Sequence, residues 1–194
     1  GSKNVISDLH YLRRSGLGEA IAKLASEGKT ELVGVCGGLQ MLGLEIADPH
    51  GIESSGQELR ALGLLPVKSF LAPDKTLVRV EATHTLSGIT LHGYEIHHGQ
   101  TNNSDLLPVI RRRDGSVIGI GAPQGHTWGT YLHGLFDSDA FRRWFIDRLR
   151  TRRGLPALGT VQAVYNLEPA IDRLAEVVRS RLHIHQIYQL MGLR

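Results

Sequence analysis

The sequence predicts an α/β fold, an open and mostly parallel sheet flanked by helices, with an antiparallel extension. Three observations carry this expectation. A short valine-rich run from Glu31 to Cys36 passes through Gly37-Gly38 directly into the helical stretch Leu39 to Leu44, which is the strand, sharp turn, helix order of a βα unit. Amphipathic segments precede this unit and close the chain. Between them lies a strand-rich middle in which side chains alternate between apolar and polar.

In chain order, Ser7 to Arg14 and Gly18 to Glu27 have helical apolar spacing, with Ser7 as the expected cap of the first and Gly28 as the stop of the second. The strand and helix around Cys36 follow. Asp48 to Gly56 reads as a loop from its turn residues. Gly63 to Phe70 and Lys75 to Thr83 read as strands. In the second, Leu77, Arg79 and Glu81 alternate with Val78, Val80 and Ala82, as in an antiparallel strand with one solvated side. Gly93 to His97, Val117 to Ala122 and Thr127 to Leu132 continue the sheet, and Arg111-Arg112-Arg113 reads as a charged hairpin tip. A helix capped by Ser138 or Asp139 runs to about Arg152, and another from Pro169 to about Leu190, with Pro169 in its first turn.

A chain of 194 residues with 41% apolar content is enough for one core, so a single domain spanning 1–194 is expected. With 22 Lys+Arg against 19 Asp+Glu the net charge is only +3, and the arginines have no aromatic platform or groove motif beside them, so neither nucleic acid nor membrane is an expected partner. One cysteine makes no internal disulfide, and no run reaches the 18 apolar residues of a membrane span, which together suit a cytoplasmic protein. The first residue is Gly rather than Met, as in an excised piece of a longer protein.

Gly34-Val35-Cys36-Gly37-Gly38 sets a nucleophile-type side chain among glycines on a strand-to-helix turn, the layout of a nucleophile elbow. There the thiol stands at the carboxyl end of the sheet, where the following helix favours thiolate and the Gly37 N–H can meet an oxyanion. The plainer reading of Cys36 is a small buried core residue. A thiol nucleophile needs a base, and His133, at the end of Thr130-Tyr131-Leu132, sits on the edge where an α/β sheet gathers functional groups. His97 and His98 end a strand in the same way, whereas His10, His50, His84, His92, His126 and His185 read as surface or capping residues. His92, Glu95, His97 and His98 crowd together and His183-x-His185 follows later, but neither spacing matches a zinc signature, so no metal site is expected.

At these residues the chain resembles the glutamine amidotransferase domain of the cobyric acid synthases, within the class I (triad-type) amidotransferases. The matching stretches are Gly1-Ser2-Lys3 with Asp8-Leu9, Gly34 to Gly43, Asp48 to Glu53, Gly63 to Val67, Gly93 to Gly99 and Gly129 to Asp137, in family order. The resemblance implies a flavodoxin-like fold in which Cys36 attacks the side-chain amide of glutamine and His133 moves the protons. By the same carry-over Gly37, with Gly1 at the remnant of an earlier loop, supplies the oxyanion hole. Gln40 holds glutamine, and Tyr94, Glu95, His97 and His98 line its amino-acid end. Many relatives carry a glutamate two residues after the histidine. Here Leu135 occupies that position, which leaves a Cys36–His133 dyad with Asp137 or Glu95 as candidate orienting groups.

The partner so implied is an ATP-dependent synthetase domain that amidates corrinoid carboxylates with the released ammonia. No G-x-x-x-x-G-K-[ST] pattern occurs here, so ATP and magnesium are expected on that missing domain, and the first elements of the amidotransferase fold are expected to precede Gly1. An amidotransferase for another acceptor, such as a cell-wall lipid precursor, and an inactive docking domain are the alternatives.

Overall fold

A computed structural model describes residues 2–102 and 106–193, and divides the chain into two compact units, 1–160 and 161–194. The first unit opens with α1 (Val5–Arg14) and α2 (Leu17–Ser26), continues through β1 (Leu32–Val35) into α3 (Gly37–Leu42), and then forms β2 (Glu45–Ala47) and β3 (Glu58–Arg60). The long β4 (Lys68–His84) and β5 (Thr90–Thr101) follow, then β6 (Leu107–Arg112), β7 (Val117–Gly121), β8 (Thr127–Thr130), a 3-10 turn (Leu135–Asp137) and α4 (Asp139–Arg152).

The eight strands form one sheet in the order β1-β8-β7-β6-β4-β2-β3, with β5 on β4. Its α/β class agrees with expectation, but the sheet is mixed rather than mostly parallel. Among the described residues β1–β8 and β2–β4 are the parallel pairs, and the remaining pairs are antiparallel. The difference lies in the middle of the chain, where β4–β5, β6–β7 and β7–β8 are hairpins whose short connections only antiparallel neighbours allow, and β6 also runs antiparallel to β4.

Several local expectations are corrected. Asn4, not Ser7, caps α1: its side chain accepts from the Ser7 N–H at 2.8 Å. Residues 63–67 are not a strand, and the runs ending at Phe70 and starting at Lys75 are one strand with an irregularity between Leu71 and Thr76. β2 and β3, three residues each, and β6 are additional. Arg112 lies within β6 rather than at a free tip.

Three apolar clusters hold the unit together. Val5, Ile6 and Leu9 of α1 pack with Met41, Ile46 and Leu71. Leu39 and Leu42 of α3 pack with Leu65, Val67, Ile120 and Tyr131. Phe141 of α4, fully buried, joins Val80, Leu91, Ile110, Trp128 and Leu132, a burial worth about 2–3 kcal/mol for that ring alone.

One pairing positions the site. β1 and β8 lie side by side and parallel with Val35 opposite Thr130, so both run out at the same edge of the sheet. Cys36 is the next residue after β1, and His133 follows three residues after β8. The Cys36 N–H donates to the Thr130 carbonyl at 2.8 Å, which ties the two exits together.

The second unit carries α5 (Glu168–Arg181) and α6 (Ile184–Leu190). The single helix expected from Pro169 to Leu190 is broken at Leu182, whose backbone is extended at φ −110° and ψ 143°. Ile171, Leu174 and Val178 of α5 are exposed. No described helix is long and apolar enough to cross a membrane.

Candidate active site

Cys36 has φ 53° and ψ −112°, and is the single non-glycine residue with positive φ among the described residues. Such a conformation costs on the order of 1–3 kcal/mol and persists where its surroundings impose it. Here they do. The Cys36 N–H is bound to Thr130 and its carbonyl accepts from Gln40 N at 3.3 Å, so strand and helix both grip the residue. The two limbs of the turn approach so closely that a Cβ on Gly34 would lie 2.6 Å from the Gly38 carbonyl carbon. Gly38 itself has open space at that position, so it is Gly34 that the turn requires on steric grounds.

The thiol lies on the wall of a cavity of about 250 Å³ and is 8% exposed. Burial pushes the Cys36 thiol up, and the opposing Gly37 N–H does not outweigh it. The thiolate expected from the helix that follows is therefore not the resting form: α3 is only six residues long, and desolvation is the larger influence. The sulfur points its proton toward the Ile96 carbonyl at 3.8 Å.

His133 lines the same cavity. It exchanges backbone hydrogen bonds with Tyr94, and its ring stacks on the Tyr94 ring, centroids 5.1 Å apart and planes 7° from parallel. Its Nε2 is buried and has no hydrogen-bond partner among the described residues. Burial pushes its pKa down, His97 adds to that and Glu95 opposes it, so the ring is set toward its neutral, proton-accepting form. Of the two candidate orienting groups, Glu95 gives its carboxylate to His97 and Arg112, and the Asp137 carboxylate lies near the Gly134 backbone; what fixes His133 is Tyr94.

Cys36, Gly37, Gln40, His97, His98 and His133 all border this one cavity. Gly1 lies outside the described residues. Tyr94 and Glu95 do not border the cavity; Tyr94 stacks on His133 and Glu95 is hydrogen-bonded to His97, both of which do. Gln40 is 3% exposed and donates to the Tyr131 hydroxyl at 3.3 Å, while that hydroxyl also meets Thr101 Oγ1 at 2.6 Å. The fit there is tight, since a Cβ on Gly99 would fall 1.8 Å from Gln40 Nε2. His98 Nδ1 is 3.0 Å from the Ala72 carbonyl.

Glu95 is buried at 3% exposure. Its Oε2 is 3.0 Å from His97 Nε2, and its Oε1 accepts from Arg112 Nε at 2.8 Å and Nη2 at 2.5 Å. Burial works against its charge, but the bonds from His97 and Arg112 outweigh it and hold the carboxyl below its usual range.

Two further groups on the cavity wall were not singled out in the sequence, Glu53 and Lys75. Glu53 accepts from Val5 N at 2.5 Å, joining the start of α1 to the 48–57 loop, and burial pushes its carboxyl up. That loop is folded around Asp48, fully buried, whose carboxylate accepts from Ile52 N, Glu53 N, Ser54 N and Ser54 Oγ at 2.7–2.9 Å. The turn-rich string from Asp48 to Glu53 held this signal: an aspartate at its start can fold the following backbone around itself.

A strained cysteine and an imidazole with a ring nitrogen unpaired among the described residues, on the wall of one cavity, are an arrangement suited to acyl transfer. Residues 1–141 match the CobB/CobQ-like glutamine amidotransferase domain family. The chain is 45% identical over 194 residues to the adenosylcobalamin biosynthesis bifunctional protein CobDQ of Leptospira interrogans, covering 100% of this chain and 22% of that protein. It is 42% identical over 230 residues to a cobyric acid synthase of Nitratidesulfovibrio vulgaris, covering 100% of this chain and 42% of that protein. It thus spans less than half the length of these curated relatives. A crystal structure of a glutamine amidotransferase superposes with a TM-score of 0.52 at 14% identity, over 74% of this chain and 71% of that one, a likeness of fold. With the family matched over most of its length, the chain belongs to the CobB/CobQ-like glutamine amidotransferase domains.

Proposed function

We propose that the chain hydrolyses glutamine through a thioester on Cys36 and supplies ammonia for amidation of a corrinoid. In this reading His133 Nε2 takes the thiol proton as Cys36 Sγ attacks the side-chain amide carbon. The Gly37 N–H stabilises the oxyanion, and His133 returns the proton to the departing nitrogen, which leaves as ammonia. Water, deprotonated by His133, then cleaves the glutamyl thioester, and glutamate departs with the thiol restored. Gln40 and His98 hold the amino-acid end of the substrate, and Tyr94 and Glu95 support it through His133 and His97.

The observation that carries this reading is the shared cavity: a thiol on a strained turn and an imidazole whose Nε2 has no partner among the described residues border one space of about 250 Å³. We assign as acceptor the carboxylates of adenosylcobyrinic acid a,c-diamide, a reading supported by the relatives named as cobyric acid synthases. We assign ATP and magnesium, and the activation of those carboxylates, to the synthetase portion beyond this chain, in a cytoplasmic protein.

The test is labelling by a chloroketone analogue of glutamine followed by peptide mass spectrometry, with glutamate release measured in parallel. An adduct on Cys36, release abolished in Cys36→Ala and sharply reduced in His133→Ala are the expected results. An adduct elsewhere, or glutamate release that survives Cys36→Ala, would overturn the proposal.

A further inference from the structure

His97 stands apart from the other histidines of the site because both of its ring nitrogens are engaged. Nδ1 is 2.7 Å from the Gly99 carbonyl, and a carbonyl only accepts, so Nδ1 carries a proton. Nε2 is 3.0 Å from Glu95 Oε2. The other oxygen of that carboxylate takes two bonds from the Arg112 guanidinium, an arrangement of the ionised form, and an ionised carboxylate also only accepts. Nε2 therefore carries a proton as well. The ring is clamped in this position: it stacks on Tyr131 with centroids 4.0 Å apart, and its side chain is 10% exposed.

We propose that His97 is a fixed imidazolium, stabilised by the Glu95–Arg112 pair, and that its charge on the cavity wall is a positioning device that keeps His133 in the neutral form that accepts a proton. Both N–H groups of His97 are spent on Glu95 and Gly99, so it has no donor left for a substrate and acts through charge. Arg112 and His97 flank one carboxylate, which leaves one net positive charge in the group. The other charged or titratable groups around the cavity are Lys3 before α1, Cys36 at the β1–α3 turn, Glu53 on the 48–57 loop, Lys75 on β4 and His98 on β5; Tyr94 stacks on His133, and the Asp137 carboxylate lies near Gly134. None of these is hydrogen-bonded to His97.

This inference rests on the proposed role of His133 for its meaning, but its test does not depend on turnover. Ring nitrogen-15 spectra of the uniformly labelled chain at pH 7.5, assigned with His97→Gln and His133→Asn, should show His97 protonated at both nitrogens. A lone-pair nitrogen signal from His97 would overturn the inference. In His97→Gln the amide still donates to Glu95 while the charge is gone. The midpoint of the His133 ring titration should then move to higher pH, corresponding to about a three- to fivefold change in its proton affinity. A midpoint that stays in place or moves down, with the backbone amide spectrum unchanged, would also overturn it. If chloroketone labelling missed Cys36 while His97 proved doubly protonated, the proposed hydrolysis would fall and the imidazolium would stand.

Discussion

The His133 ring lies flat against the Tyr94 ring, 7° from parallel, while the two residues exchange backbone hydrogen bonds of 2.8 and 3.2 Å. Strand β5 thereby holds the base of the proposed reaction by main chain and side chain together. Tyr94 is 46% exposed, so little of its role is core packing. A stacked pair is worth about 0.5–1.5 kcal/mol beyond burial. Tyr94→Ala should lower kcat/KM for glutamate release by about two- to tenfold, with the thermal midpoint nearly unmoved, and Tyr94→Phe should retain the wild-type rate. A rate unchanged in Tyr94→Ala would show that the backbone bonds suffice.

Burial sets both members of the dyad toward neutrality, pushing the Cys36 thiol up and the His133 imidazolium down. The charged forms are disfavoured on both sides, so the resting pair is thiol and imidazole. Alkylation of Cys36 by iodoacetamide, which brings no base of its own, should keep accelerating with pH beyond the range of an ordinary thiol. Glutamate release should instead be governed by an acid limb below the usual histidine range, because in the proposed reaction His133 takes the proton within the complex. An alkylation rate that is already flat at neutral pH would point to a preformed thiolate.

The elbow was legible because its signal is local: a valine-rich strand, glycines around one cysteine and an apolar helix follow one another within a dozen residues. His133 was legible for a similar reason, as a strand end. Glu53 and Arg112 were not, because each gains its meaning from a distant partner. Arg112 reads as one of three solvated arginines until β6 pairs with β4 and β4 with β5, which puts its guanidinium on the buried Glu95. β2 and β3 are too short to show alternation, and exist because β4 and the Asp48 loop offer them partners. The break at Leu182 left no Gly or Pro to mark it.

Gly99 and Gln40 form a matched pair, packed against each other on the cavity wall. A methyl at Gly99 would overlap the Gln40 amide, 1.8 Å from Nε2 and 2.7 Å from Cδ, so Gly99→Ala must turn that side chain out of its place beside Tyr131. With Gln40 assigned to hold glutamine, KM should rise by about tenfold or more, while iodoacetamide still reaches Cys36. Gln40→Ala removes the obstacle, so the double variant should lose little more than Gln40→Ala alone. Strictly additive losses would show that Gly99 acts elsewhere.

Asp48 organises the wall that bears Glu53. Burial opposes its charge, but the N–H groups of Ile52, Glu53 and Ser54 with the Ser54 hydroxyl prevail and hold its carboxyl below the usual range. Asp48→Asn keeps the volume but replaces one accepting oxygen by an amide NH2, setting a donor against donors. Chemical denaturation should report a loss of about 2–4 kcal/mol. Because the Glu53 carboxylate also anchors the start of α1, KM for glutamine should rise in parallel. Wild-type stability in Asp48→Asn would mean that the loop is held by other bonds.

His84 gives the fold a pH dependence separate from the site. It is 3% exposed, its ring tilted against Trp144 at 4.7 Å and edge-on to Phe141 at 5.0 Å between centroids, with Nδ1 accepting from Ser87 N. Burial, helped by Arg148, pushes it down from 6.5 to about 4. The unfolded chain thus binds a proton at a higher pH than the folded one. The contribution of His84 is fully present above pH 6.5 and is lost as pH falls toward about 4, a total of about 3 kcal/mol. Urea midpoints measured at pH 7 and pH 4.5 should fall in wild type by more than in His84→Gln, which lacks the group that must charge. Carboxylates such as Asp48 add their own acid sensitivity to both proteins, so the decisive quantity is the difference between the two slopes; equal slopes would mean that His84 is solvated in the native state.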